Sequence, residues 1–203
     1  SILHSWIVDN PHLPSKRIFH PILLKDKSLI YCFTEKPIQR IDSNGDLIWR
    51  QEKVWGHHSM EPDHEGNIWI CSYKTIWLGT GSYNINGEKV YYKDNTISKL
   101  DAKTGEILFN KSLTDIFKEN GIAQHILKSD NSIDPFHIND VQPALKTTEY
   151  YQKGDVFISS KHLSLILHYR PQTNSIINIV EGPFVGQHDV DFLNDSTLVF
   201  FNN

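Results

Sequence analysis

Hydrophobic residues in this chain come in short runs between polar turns. Leu29-Ile30-Tyr31-Cys32-Phe33, Ile68-Trp69-Ile70-Cys71, Val156-Phe157-Ile158-Ser159 and Leu198-Val199-Phe200-Phe201 are rich in β-branched and aromatic side chains. Unbroken apolar runs of this length predict strands covered on both faces. The first three are each followed by a strand–turn–strand segment, over residues 41–49, 100–109 and 169–177. The turns centre on Asn44-Gly45, Thr104-Gly105 and Thr173-Asn174, residue types that accept positive φ. Asp42 and Asp101 are placed to fold back onto turn amides.

A histidine stands upstream of every apolar run. His20, His58 and His188 precede Ser28, Gly66 and Ser196 by the same eight residues, and each of those three falls in the turn before an apolar strand. His137 holds the same place in the remaining unit, with a longer connection through Pro143 and Gln152 to Gly154. The unit therefore reads as a histidine-bearing strand followed by three more antiparallel strands, which is the composition of a propeller blade. Units start near residues 20, 58, 137 and 188, and the last stops after its second strand. Two insertions stretch the spacing. Residues 75–93, with Gly79, Gly81 and Gly87, predict a long surface hairpin, and residues 112–134 predict one short helix closed by Gly121. The expected fold is all-β, a β-propeller of which about three and a half blades are present over residues 1–203. A ring needs about 4–8 blades, so the chain is expected to be part of a longer propeller.

Composition narrows the function. The net charge of −4 with no dense Lys/Arg cluster argues against nucleic-acid binding, which needs a basic surface. No apolar run approaches the roughly 20 residues that span a bilayer, and the first residues lack the ordered basic and apolar regions of a signal peptide. Cys32 and Cys71 lie inside apolar strands and read as buried thiols rather than a disulfide framework. Eleven histidines is a high count for this length.

In a propeller the first strand of each blade lines the central channel, so a residue repeated at its start converges with its copies. His58, His137 and His188 are the candidates for a shared site, with His20 a weaker member because Pro21 follows it. Alternate strand residues face opposite ways, so only one of His57 and His58 can look into the channel; the eight-residue register selects His58 and leaves His57 as its neighbour. Asn139 shares a face with His137, and Lys161 ends an apolar strand near the channel. Asp189 is expected to face away from His188. His4, His12, His64, His125, His162 and His168 fall off the repeat and read as surface or local residues. Three or four imidazoles have the donor type for zinc, but nothing in the sequence marks the carboxylate partners that ligating histidines usually have, so no metal is assigned.

The segments 134–141, 154–164 and 182–193 resemble, in order, motifs of the bacterial arylsulfotransferases, and His57-His58 with Gly66-Asn67-Ile68 resembles that family's upstream histidine motif. The resemblance spans roughly residues 55 to 203. It implies a six-bladed propeller with the active site in its channel, a periplasmic or cell-envelope location, and no cofactor. It also implies ping-pong transfer of a sulfuryl group from a phenolic sulfate ester to a phenol. Carried over by motif, His188 matches the nucleophile and His58 and His137 the supporting histidines. Lys161 stands where the family has arginine, so the cation is kept while the two-pronged geometry is lost. His57, Asn139 and His20 are the expected substrate-binding neighbours. The alternative is a non-catalytic propeller that binds an anion or a protein partner in the same channel.

Overall fold

The computed structural model describes residues 4–8, 17–75 and 79–202. The chain is mostly β, with 49% strand and 7% helix, arranged in several antiparallel sheets none of which closes. Strands β1 (Ile22–Leu23), β2 (Leu29–Tyr31), β3 (Lys36–Ile41), β4 (Leu47–Pro62) and β5 (Ile68–Tyr73) follow one another in space as in sequence. A separate hairpin, β6 (Gly81–Ile85) and β7 (Glu88–Tyr92), interrupts them. Then β8 (Asn95–Leu100) and β9 (Ile107–Ser112) complete a seven-stranded sheet in the order β1-β2-β3-β4-β5-β8-β9. A helix, α1 (Leu113–Glu119), and a 3-10 turn (Ala123–Lys128) lead to the second sheet, formed by β10 (Ile138–Pro143), β11 (Val156–Ser160), β12 (Leu165–Arg170) and β13 (Ser175–Glu181). A final pair, β14 (His188–Asn194) and β15 (Thr197–Phe201), stands alone.

The seven-stranded sheet is two four-stranded meanders sharing β4. This 16-residue strand pairs with β3 through Leu47–Gly56 and with β5 through Trp55–Pro62. Its register breaks between Gly56 and Met60, and His57-His58-Ser59 occupy the break. The apolar runs form strands buried on both faces, as their composition requires: every residue of β5 and β11 is buried. One core packs the first meander on the second through Ile30, Ile38, Met60 and Ile70. The next packs the second on the β10–β13 sheet through Ile97, Phe117, Phe136 and Ile158. A third joins that sheet to β14 and β15 through Phe157, Ile166 and Val190. Cys32 and Cys71 are free thiols inside these cores, and burial pushes the Cys32 thiol up to about 12.

The turns behave as their side chains dictate. Asp42 Oδ1 accepts from the amides of Asn44 and Asp46 at 2.7 and 2.9 Å. Asp101 Oδ1 accepts from Lys103 and Thr104 at 2.7 and 2.8 Å. The 75–93 insertion contains the expected hairpin, turned by Asn86 and Gly87 at φ 49° and 86°. The 112–134 insertion forms α1, N-capped by Ser112 accepting from Asp115 N, but adds the 3-10 turn that no periodicity marked.

Where β4 passes from one meander to the next, the chain approaches β2 closely. A Cβ on Gly56 would lie 2.7 Å from Cys32 Sγ and 3.1 Å from Ile38 Cδ1, both fully buried. Overpacking of this kind costs about 1–3 kcal/mol. Gly56→Ala is therefore expected to lower the unfolding free energy by that amount in a denaturant titration; an unchanged midpoint contradicts the close approach.

Candidate active site

Strands β10 and β14 each have one edge that no strand pairs, and side chains from the neighbouring sheet take amides there. Asn95 Oδ1 accepts from Ile138 N at 3.0 Å and Ser59 Oγ from Val141 N at 3.1 Å. Asp140 Oδ2 accepts from Val190 N at 2.8 Å, and Asn139 Nδ2 donates to Gln187 O at 2.6 Å. These bonds tie β4 and β8 to β10, and β10 to β14, at the level of the candidate histidines.

Backbone conformation aims those histidines. His20, His58 and His137 all lie at positive φ, 36°, 54° and 41°, a region that non-glycine residues seldom enter. The corresponding left-handed residue at β14 is Asp189, at φ 60°, rather than His188. The equal eight-residue spacing therefore hides unequal backbones. The left-handed residue of the turn comes at Lys27, seven residues after His20, but at Gly66, eight residues after His58, each two residues before its strand. Asp189 does not face away from the site as strand alternation predicts. The left-handed kink and a register break between His188 and Asp191 put both His188 and Asp189 on the same cavity.

That cavity, of about 330 Å³, is lined by Phe19, His20, His58, Asn139, His188 and Asp189, together with Ser59 and Phe201. The His58 ring lies 5.0 Å from the His137 ring and 6.3 Å from the His188 ring, centroid to centroid. His137 and Lys161 sit beside this wall rather than in it, and Lys161 N donates to the His137 carbonyl at 3.2 Å. His57 is buried behind His58, stacked on Tyr73 at 4.0 Å, with its Nδ1 2.9 Å from His58 Nδ1. His20 stands half-exposed at the rim, 3.5 Å from Glu61 and 4.0 Å from Asp189. Asn139 is buried, and its Oδ1 has no hydrogen-bond partner among the described residues.

The field in the cavity has two sides. Burial, then the neighbouring His137 and His188 rings and Lys161, pull His58 down to about 4. His188 is lowered by burial and then by the Lys161 ammonium, against a hydrogen bond to the Gly186 backbone. Both imidazoles are therefore neutral at pH 7. On the other side His20 is raised, first by its hydrogen bond to Glu61. Burial pushes Asp140 up to about 7, opposed by Ser59 and by the Val190 amide. Asp191 is raised by burial and by repulsion from Asp189 and Glu61.

Several residues that carry no repeat signal belong to this site. Asp134 Oδ2 lies 2.7 Å from His137 Nδ1, which supplies the carboxylate partner missing from the sequence reading. His162, expected to be local, packs on the His137 ring at 4.5 Å and bonds the Asp134 carbonyl at 2.7 Å. Ligand atoms of Asp134, His137 and His162 lie within 4.8 Å of one another, so among the described residues these three form a group able to hold a cation.

The depressed His58 has a consequence for stability. Unfolded, the side chain titrates near 6.5; folded, it titrates at about 4, so the unfolded chain takes the proton first. Stability is present above pH 6.5 and is lost as pH falls through about 4, by up to ~3 kcal/mol. His58→Gln is expected to flatten the fall in unfolding free energy between pH 7 and pH 4.5. An equally steep fall in the variant contradicts the assignment.

No curated protein matches the chain. The family model described as Arylsulfotransferase (ASST) matches residues 20–203, from the first of the four histidine-bearing units onward, and the chain belongs to that family.

Proposed function

We propose that this protein transfers a sulfuryl group from a phenolic sulfate ester to a phenolic acceptor, in two displacements through His188. The sheets are read as blades of a propeller and the cavity as its channel. The observation that carries the reading is the convergence of His58, His137 and His188, from three different sheets, around a site that keeps two of them neutral beside a lysine.

In the first displacement an imidazole nitrogen of His188 attacks the sulfur with its lone pair. The sulfur–oxygen bond to the donor breaks, and the phenolate leaves with that pair. In the second, the acceptor oxygen attacks the same sulfur and gives up its proton, and the nitrogen–sulfur pair returns to His188. A neutral imidazole is a competent nucleophile, and a labile intermediate divides one hard step into two easier ones. The sulfuryl oxygens gain negative character, which fixed donors stabilise. Lys161 and His58 supply that role, and Asn139 Oδ1 is an acceptor suited to a phenolic O–H. Lysine offers a point charge where arginine would grip two oxygens.

Steady-state transfer from a chromogenic aryl sulfate to phenol tests the proposal. Double-reciprocal plots at several acceptor concentrations are expected to be parallel. His188→Ala should abolish transfer with the circular dichroism spectrum retained, and Lys161→Met should lower kcat/KM roughly 10²–10³-fold, the range seen when one stabilising donor is removed. Binding of the aryl sulfate by folded protein without phenol release would instead support a binding module.

A further inference from the structure

Asp134 is a partly buried carboxylate that the two displacements leave without a task. It is held from three directions. Asn95 Nδ2 donates to its Oδ1 at 2.9 Å, the Tyr73 hydroxyl donates to Oδ2 at 3.4 Å, and His137 Nδ1 approaches Oδ2 at 2.7 Å. Asn95 is itself locked, because its Oδ1 accepts from Ile138 N at the start of β10. Burial alone would raise the Asp134 carboxyl, but the hydrogen bonds from His137 and Asn95 outweigh it and bring the group down to about 2. The group is a carboxylate, which only accepts hydrogen bonds.

The proton in the 2.7 Å contact therefore belongs to His137 Nδ1. A neutral imidazole carries one N–H, so when His137 is neutral its Nε2 bears a lone pair. The ring is fixed by more than this bond. Its backbone is left-handed at φ 41°, its carbonyl accepts from Lys161 N, and it packs between His58 at 5.0 Å and His162 at 4.5 Å.

We infer that Asp134 is a positioning residue that holds His137 as the Nδ1–H tautomer, so that His137 Nε2 passes protons to and from the phenolic oxygens. The inference rests on the sulfuryl-transfer reading. In the first displacement His137 is the imidazolium, and its Nε2 proton goes to the departing phenolate oxygen as the sulfur–oxygen bond breaks. In the second, the acceptor's O–H proton goes to Nε2 as the new sulfur–oxygen bond forms. One proton leaves and one returns, so His137 ends as it began, and Asp134 stabilises the cation at both ends of the cycle.

The test is a series of aryl sulfate donors whose phenols become progressively more basic, run on the full chain and on Asp134→Asn. An asparagine can donate to Nδ1, which moves the ring proton to Nε2. Proton transfer is worth roughly 10²–10⁴-fold and matters most for basic leaving groups. Asp134→Asn is therefore expected to lose at least about 10²-fold with the most basic phenols and much less with acidic nitrophenols, and His137→Ala should show the same steepened dependence. Nitrogen NMR of the histidine side chains, read at a pH where His137 is neutral, should report Nδ1–H at His137 in the wild type and Nε2–H in Asp134→Asn. A loss equal across all donors, or an unchanged tautomer, overturns the inference. So does stoichiometric zinc binding by the wild type that Asp134→Asn abolishes, since Asp134, His137 and His162 would then be ligands. If the wild type turns over no donor, the sulfuryl-transfer reading fails, while the NMR arm still decides whether Asp134 sets the tautomer.

Discussion

Strands β10 and β14 carry amides on an edge that no other strand pairs, and satisfying those amides dictates how the sheets meet. A buried amide without a partner costs about 1–3 kcal/mol. Ile138 N, Val141 N and Val190 N avoid that cost by bonding Asn95, Ser59 and Asp140, each from the preceding sheet. Ser59 follows His58 directly, and Asp140 lies three residues after His137. The bonds that satisfy the edges therefore also fix where the imidazoles stand relative to one another. The left-handed backbones at His20, His58, His137 and Asp189 persist because the cores on either side over-determine them.

The chemistry follows from this packing. Sheets meeting this closely leave a small cavity with Lys161 beside its imidazoles, and burial with that nearby cation lowers the proton affinity of His58 and His188. Asp134 sits behind the same cluster, where burial is outweighed by the hydrogen bonds from His137 and Asn95 that keep it a carboxylate. Across the cavity Glu61, Asp189 and Asp191 draw His20 the other way. An anionic group is thus favoured on the Lys161 side, and a proton-bearing group on the side of Asn139 and His20.

Much of the framework was legible in the sequence. The apolar runs are continuous because β2, β5 and β11 are covered on both faces, and burial of that kind leaves no alternation to misread. The histidine repeat was legible for the same reason, since equivalent strands place equivalent residues at one level. What stayed hidden depends on irregular backbone rather than on the strand repeat. Asp134 ends an irregular insertion three residues before His137, and His162 lies in the turn after β11, so no strand period marks either as its partner. That β4 is one strand serving two meanders cannot be read from its polar residues, half of which lie on an exposed stretch. Asp189 was misplaced because alternation assumes a regular strand, and β14 is kinked at that residue.

The central claim is that a neutral His188 carries the sulfuryl group between two phenols. Incubating the protein with an aryl sulfate and no acceptor, then mapping its peptides by mass spectrometry, tests that claim most directly. The account predicts a burst of phenol and one sulfuryl adduct on the peptide bearing His188, with no such adduct in His188→Ala. An adduct on a different histidine, or full turnover with no covalent species at any time, would contradict it.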